Sequence, residues 1–173
     1  MLLWNKQTKL WLKPKMALIH RKKRFWIMKL KFNEHGNLHE DHKLSYEELE
    51  REFWFNESRK ERLKRGLIFL KILRSLGCTD VYIAGSFVSR KEFPNDIDVC
   101  VDATNINYIK LTKEYPEFLQ QKGIDKIRKV HHVHFAAFFD FGNLEILDWF
   151  RKDRDDNPRG LVKINLNDIN SYD

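Results

Sequence analysis

Residues 81–101 read VYIAGSFVSRKEFPNDIDVCV. An apolar run ends at the pair Gly85-Ser86, and a second apolar run opens with Asp96 and Asp98, one residue apart. Side chains alternate along a strand, so both carboxylates are predicted to point to one face and Ile97 to the other. The pattern predicts two strands joined through a polar corner.

The two acids predict a metal site beside a phosphate site. Carboxylates on one face repel each other unless a cation lies between them. Oxygen ligands of this kind suit Mg²⁺ (or Mn²⁺), and a Gly-Ser corner that opens a helix suits phosphate groups. We therefore expect Asp96 and Asp98 to bind metal, and Gly85 and Ser86 to contact a nucleotide.

The loop between the corner and the acids contains two cations, Arg90 and Lys91. They are candidates for binding a triphosphate. They are equally interpreted as solvated loop charges.

Length and composition favour one globular domain. The chain has 173 residues, of which 42% are hydrophobic, enough for one modest core. Its two cysteines, Cys78 and Cys100, form no disulfide framework and are expected to be small buried residues in a cytoplasmic protein.

The net charge of +7 is concentrated at the N-terminus. Residues 1–27 contain eight lysines and arginines and no acid, which leaves −1 for residues 28–173. We interpret 1–27 as a basic, aromatic and weakly ordered extension, with 28–173 as the folded domain. Alternatively, the extension contacts nucleic acid or an anionic membrane surface. It holds no apolar run of membrane length and no signal peptide.

Helix signals lie on both sides of the corner. Ser45-Tyr46-Glu47-Glu48 is a capping box that predicts a helix to Phe55. A second capping box at 58–61 opens a helix predicted to end at Gly77. Residues 105–123 are predicted to be helical, with an interruption near Pro116.

Strands are predicted at 80–84, 97–101, 130–139 and 160–166. Residues 28–32 are predicted to be a short extended piece before a turn at 33–37, and another turn is predicted at 155–158. Residues 143–152 are either helical or extended. The alternation of helices and strands predicts an α/β fold, a sheet layered with helices.

The corner and the acid pair resemble the signature of the nucleotidyltransferase superfamily of the DNA polymerase beta type. The block from Phe32 to Leu166 is similar to its minimal bacterial members, through Phe32–Gly36, Gly85–Val88 and Gly160–Ile164. The resemblance implies a minimal single-domain α/β (α+β) fold, with a mixed sheet of about four to five strands flanked by helices.

The resemblance also implies an activity. It is the metal-dependent transfer of a nucleoside monophosphate from an NTP, with ATP as the expected donor, to a hydroxyl of a protein, an RNA or a small molecule. Only about 75 residues follow Asp98, so a second, acceptor-binding domain is not expected. A partner chain would then present the acceptor, as in toxin–antitoxin or phage-defence pairs. The alternative is a catalytically inactive fold that binds a nucleotide or a partner protein.

Active members of that superfamily supply a third carboxylate from a later strand. The strand predicted at 130–139 has no acid in its middle, and Asp140 at its end is the catalytic candidate. Asp102, Glu145 and Asp148 are further candidates. His134 is a candidate base or metal ligand, since neutral imidazole accepts a proton near pH 7.

Two other clusters are given structural interpretations. His35, His39 and His42 are expected to be exposed loop residues rather than a metal site. Trp149 and Phe150 are expected to be a core aromatic pair before a mixed-charge surface loop at 151–154, rather than a base-stacking site.

Overall fold

The strands predicted on either side of the corner lie next to each other in a mixed β-sheet. The computed structural model describes residues 30–138 and 145–169. In these residues five strands form one sheet of order β1-β5-β2-β3-β4. They are β1 (His42–Leu44), β2 (Asp80–Ala84), β3 (Ile97–Asp102), β4 (Val133–Phe138) and β5 (Val162–Asn165). β1 is parallel to β5 and β3 to β4, whereas β2 is antiparallel to both of its neighbours.

Five α-helices of the described residues flank this sheet. They are α1 (Tyr46–Phe53), α2 (Glu57–Ser75), α3 (Tyr108–Glu114), α4 (Gln121–His131) and α5 (Glu145–Phe150). The predicted α/β class, a mixed sheet flanked by helices in a small single domain, is confirmed.

The alternation of side chains along β3 separates the two faces of the sheet. Ile97, Val99 and Val101 point into the larger core, to which α1, α2 and α4 contribute. Cys100 points to the other face and joins a smaller apolar cluster completed by α5. Asp98 shares the face of Cys100 and is half-buried there. The acid pair therefore lies on the face with the smaller apolar cluster.

The two helices before the corner begin at different kinds of cap. At α1 the predicted capping box is present: Ser45 Oγ accepts from Glu48 N at 3.1 Å, and Glu48 Oε2 accepts from Ser45 N at 2.8 Å. The second predicted box is wrong, because α2 begins earlier, at Glu57, with Asn56 as its cap. The Asn56 side chain accepts from Arg59 N, and Asn caps a helix as well as Ser does.

The helical region after β3 is longer than predicted. Pro116 does interrupt it, at a 3-10 turn over Pro116–Leu119, but α4 then continues through Gly123 to His131. The strand predicted at 130–139 therefore starts only at Val133, after His132 ends the helix with a φ of 52°. The ambiguous segment at 143–152 contains helix α5, and the strand predicted at 160–166 is shorter, as β5.

β1 is a strand that no pattern predicts. It pairs with β5 at one edge of the sheet, and His42 lies opposite Val162. The interpretation of His42 as an exposed loop residue is wrong, since it is half-buried in this strand, whereas His35 and His39 are exposed. The sequence His-Lys-Leu has no apolar alternation, and its extended conformation depends on pairing with a distant strand.

Two predictions lie entirely outside the described residues, and the extended piece predicted at 28–32 lies partly outside them. The first is the basic extension at 1–27, together with its proposed contact with nucleic acid. The second is Asp140, the candidate third acid. Within the described ranges, none of the helices combines the length and the apolar character that crossing a bilayer requires.

Candidate active site

The corner after β2 brings the backbone against the acid pair. Gly85 has a φ of +73° and opens a 3-10 turn, Gly85–Val88. The antiparallel pairing of β2 with β3 places Ala84 opposite Asp98. A Cβ on Gly85 would overlap the carboxylate of Asp98 and lie 2.8 Å from its Cγ. Glycine is thus required twice, by its conformation and by the close approach of Asp98.

Asp98 is a carboxylate under electrostatic strain. Burial raises its pKa, and the nearby charge of Asp96 raises it further, while Arg159 and His134 act in the opposite direction. Among the described residues its carboxylate has no hydrogen-bond or ion-pair partner. Asp96 lies one residue before β3, and its side chain is 27% exposed. A cation placed near both acids would relieve the strain.

His134 stands beside the acid pair on β4. The parallel pairing of β3 and β4 places it opposite Asp98, and its Nε2 lies 3.2 Å from Asp96 Oδ2. On the strand where the resemblance implies a third carboxylate, the side chain next to Asp98 is therefore an imidazole.

The described candidates for a third carboxylate lie away from the acid pair. Asp102 is at the opposite end of β3, where its Oδ1 accepts from Thr104 N. Asp148 binds Arg151 at 2.7 Å, and Glu145 is exposed at the start of α5. None of these three lines the cavity at the acid pair. With Asp140 outside the described residues, the third acid stays a prediction.

The acid pair opens into a cavity of about 620 Å³, here called the corner cavity. Ser86, Arg90 and Lys91 line it together with Asp96 and Asp98. The structure thus brings together all the nucleotide-binding and metal-binding candidates that it describes, since Gly85 adjoins Asp98. This volume lies within the range of about 300–1,000 Å³ that small-molecule sites occupy.

Arg59 on α2 supports the loop 87–91 through hydrogen bonds to its backbone. This residue is not identified in the sequence analysis. Arg59 is 0% exposed, and its Nε donates to Phe53 O at 2.7 Å. Its Nη1 donates to Lys91 O at 2.5 Å, and its Nη2 donates to Phe87 O. Burial lowers its pKa to about 10, so the guanidinium still carries its charge at neutral pH.

The loop has two further supports. The Gly36 carbonyl accepts from Arg90 N at 2.9 Å, which ties the loop to the predicted turn at 33–37. Ser89 Oγ donates to Ser86 O at 2.8 Å. Nothing in the composition of α2 distinguishes Arg59 from the surface cations around it, so no sequence signal could have found this support.

The opposite wall of the corner cavity comes from residues 153–159, which the sequence suggests is only a charged surface loop and turn. Asp153 accepts hydrogen bonds from Asn37 Nδ2 at 2.9 Å and from the backbone of Asp155 and Asn157. These bonds, with Asn37 first, lower the pKa of Asp153 to about 2. Its oxygens are already engaged in joining two loops, so its role here is structural.

Arg159 places a positive charge at the same wall. Its Nε donates to Phe150 O at 2.7 Å, and its charge acts on Asp98. Burial lowers the pKa of Arg159, and the attraction of Asp98 and Asp153 opposes that shift.

The prediction of a core aromatic pair at 149–150 is confirmed for Phe150 and wrong for Trp149. Phe150 is 5% exposed and packs in the smaller cluster, but Trp149 is 70% exposed. The two cysteines are buried as expected, and burial raises the pKa of Cys78 to about 11 and of Cys100 to about 12. Neither thiol is a nucleophile at neutral pH.

Two acids decide whether the described residues of the corner cavity can bind a divalent cation. Within residues 30–138 and 145–169 no group of three or more His, Cys, Asp and Glu side chains is arranged to hold a metal ion. Asp96 and Asp98 could supply two oxygen ligands, and Mg²⁺ commonly takes its others from water and substrate phosphates. The donor set therefore fits a cation bound together with a phosphate ligand.

Comparison with known proteins places the chain in a family, although individual proteins are not matched. No curated protein and no solved structure is detectably similar to this chain. The sequence profile of one family, described as "Family of unknown function (DUF6932)", matches residues 30–165. This range includes β1 to β5 and every described residue of the corner cavity. The chain therefore belongs to DUF6932, a family of unknown function.

Proposed function

We propose that this protein is a metal-dependent nucleotidyltransferase, which moves a nucleoside monophosphate from an NTP to an acceptor hydroxyl. The observation that carries the proposal is the environment of Asp98. This carboxylate is half-buried, and its pKa is raised. It lies in close contact with Gly85 and next to a second acid, Asp96, and it has no described hydrogen-bond partner. A structural carboxylate would have a donor; a ligand-binding one is left free for a cation.

The corner cavity supplies groups for the donor nucleotide. Ser86 lies at the start of the 3-10 turn, where its hydroxyl and the backbone N–H groups can donate to phosphate oxygens. Arg90 and Lys91 add two cations on the same loop. Asp96 and Asp98 would hold Mg²⁺ or Mn²⁺. When bound, the cation neutralises triphosphate charge and stabilises the attacking and leaving oxygens.

The transfer itself is a displacement at phosphorus. The acceptor oxygen forms a bond to the α-phosphorus, the bond from that phosphorus to the oxygen bridging to the β-phosphate breaks, and pyrophosphate leaves with the electron pair. The hydroxyl proton passes to a base. The imidazole of His134 is the described group that can accept it: Nε2, 3.2 Å from Asp96 Oδ2, is placed to donate to that carboxylate, which leaves Nδ1 as the accepting nitrogen.

A second candidate function is an inactive nucleotide-binding or partner-binding module. It is favoured by the side chain beside Asp98 on β4, which is His134 where the resemblance implies a carboxylate. It is also favoured by the lack of a three-residue metal group in the described part of the chain. The nucleotide-binding form of this module places a nucleotide in the corner cavity, as the enzyme does, and differs from it in turnover; the partner-binding form requires no nucleotide.

The acceptor is proposed to reach the site on a partner molecule. A partner protein, as in a toxin–antitoxin or phage-defence pair, an RNA and a small hydroxyl compound all satisfy the chemistry.

The decisive experiment measures label transfer. The purified chain is incubated with α-³²P-labelled ATP, GTP, CTP or UTP, Mg²⁺ or Mn²⁺, and a cell lysate as the source of acceptors. Asp96→Asn and Asp98→Asn are the test variants. Asp102→Asn is the matched control, because Asp102 lies on the same face of the same strand but outside the cavity.

We expect the wild type and Asp102→Asn to transfer label. Both test variants, Asp96→Asn and Asp98→Asn, should transfer none. Equal labelling by all four proteins would rule out catalysis by the acid pair. If the wild type binds ATP and transfers no label under any of these conditions, the binding module replaces the enzyme.

A further inference from the structure

Trp149 presents its ring to solvent at an unusual place. It is 70% exposed, whereas Phe150, the next residue of α5, is 5% exposed. The two rings meet edge to face, with centroids 5.0 Å apart and an interplanar angle of 86°. The indole is thus supported by a ring fixed in the core, while the rest of its surface is available for contact.

Trp149 lines a second cavity of about 430 Å³, here called the indole cavity. Asp98, His134 and Arg159 line both this cavity and the corner cavity. The two are therefore compartments of one continuous site, with Asp98 at their junction. A ligand whose phosphates lie at the corner and which extends past Asp98 enters the indole cavity.

The charges of the indole cavity are balanced. Lys152 pairs with Asp156 at 3.5 Å, and the Asp153 carboxylate is occupied by hydrogen bonds from Asn37 and Asn157. The other two cations of the lining, Arg154 and Arg159, both act on Asp98 and oppose the rise of its pKa, so three cations stand against Asp98, Asp153 and Asp156. What remains is a wall of polar groups beside an exposed indole. Such a wall offers little to a polyanion, but it suits a planar, uncharged ring with donors and acceptors on its edge.

We propose that the indole cavity is a nucleobase subsite in which a base stacks on Trp149. The inference rests on the proposed function, because that function places the phosphates of a nucleotide in the corner cavity. The subsite serves equally well in the inactive binding module, since stacking requires no turnover.

The base has two sources with the same chemistry. It is either the base of the donor NTP or the terminal base of a nucleic-acid acceptor. In both cases the exposed indole contributes to affinity, and a ligand without a base gains nothing from it.

The experiment measures the binding of three probes to the full chain by calorimetry in Mg²⁺. The probes are α,β-methylene ATP, inorganic tripolyphosphate and a short oligoadenylate RNA. The variants are Trp149→Ala and Trp149→Phe. The matched control is Ile109→Ala, which removes an apolar side chain of similar exposure, 69%, outside both cavities. Thermal unfolding of each variant checks that it is folded.

If the donor base stacks, Trp149→Ala weakens ATP-analogue binding by about 5- to 150-fold, the range that base–aromatic stacking provides. Tripolyphosphate binding is then unchanged, and Trp149→Phe has a smaller effect. If the acceptor base stacks, the same loss is found for the oligoadenylate and not for the ATP analogue. Ile109→Ala changes neither.

Unchanged affinity of Trp149→Ala for both base-containing probes overturns the subsite. An equal loss for tripolyphosphate, or the same loss in Ile109→Ala, also overturns it. If the wild type binds none of the three probes, the phosphate site fails with it. Label transfer without any contribution from Trp149 would leave the proposed function standing and remove only the subsite.

Discussion

Asp98 and Asp102 lie on the same face of β3, four residues apart, and they have different surroundings. Asp102 ends the strand, and its carboxylate accepts a hydrogen bond from Thr104 N at 3.0 Å. Asp98 adjoins Gly85 and Asp96 and opens into the corner cavity without a described hydrogen-bond donor. The difference shows that two aspartates on one face of one strand can have unlike surroundings. Residue type and strand position are the same for both, and the supply of donors around the carboxylate is not.

The largest difference between the two acids is expected in catalysis. Asp98→Asn should lower the rate of label transfer by about 10³-fold, because stabilisation of the transition state by a bound cation amounts to several kcal/mol. Asp102→Asn should keep the wild-type rate, since an amide oxygen can still accept from Thr104 N. Initial rates at saturating NTP measure both. Similar losses in the two variants would mean that the acids are not functionally distinct.

The surroundings of Asp98 depend on the loop 87–91, which Arg59 supports and which does not reach Asp102. Arg59→Met should reduce the free energy of unfolding by about 3 kcal/mol or more, because the carbonyls of Phe53, Phe87 and Lys91 lose their buried donor. Arg65→Met, on the same helix, removes two exposed contacts, the ion pair with Glu61 and the contact of Nη1 with His132 Nε2 at 3.2 Å, and should cost no more than about 1 kcal/mol. Urea unfolding measures both, and equal costs would contradict the proposed support of the loop.

The close contact of Gly85 with Asp98 can be separated from backbone strain. Gly85→Ala combines a positive φ with overlap of Asp98, whereas Gly36→Ala has a φ of +74° and its nearest neighbour is 3.5 Å away. We expect Gly85→Ala to be more destabilising by about 1–3 kcal/mol, the usual cost of overpacking. Thermal unfolding of the two variants gives this difference. If it is zero, Asp98 moves aside freely and its position is not fixed by the corner.

The smallest effect is expected in the pH dependence of stability without metal. The folded state raises the pKa of Asp98, so it binds this proton more tightly than the unfolded chain does. Stability is therefore lost as pH rises from the ordinary aspartate pKa of 3.8 through the raised value. In EDTA, Asp98→Asn should lack this loss, whereas Asp102→Asn should follow the wild type. If the free energy of unfolding varies with pH identically in the wild type and in Asp98→Asn, Asp98 is not under electrostatic strain in the folded protein.

The central part of the fold could be predicted because its signals are local. The alternation at 97–101, the apolar strand at 80–84 and the capping box at Ser45 each fix an element from its own residues. β1 could not be predicted, since its three residues are extended only through pairing with β5. The predicted start of β4 is too early because Val130 and His131 extend the apolar pattern of the strand, whereas in the structure both belong to α4, which ends at His132.

The candidate site was predictable on one side only. The corner, the loop cations and the acid pair are close in sequence, so their spacing identified them. Asn37, Asp153 and Arg159 reach the same cavity from distant parts of the chain, and no local pattern connects them. Arg59 is concealed for a different reason, because a buried cation that binds carbonyls has the same sequence signature as a surface cation on the same helix.

The position of β5 in the sheet affects the order in which the protein folds during its synthesis on the ribosome. β5 lies between β1 and β2, although it is the last described strand to be synthesised, and β1 pairs with it alone. A nascent chain that has released β3 and β4 already contains the acid pair and His134, but it lacks the wall at 153–159. Because domains complete their folding only when their non-local pairings can form, the cavity is assembled only after β5 has been synthesised. The proposed nucleotide site is therefore absent from nascent chains that have not yet reached β5.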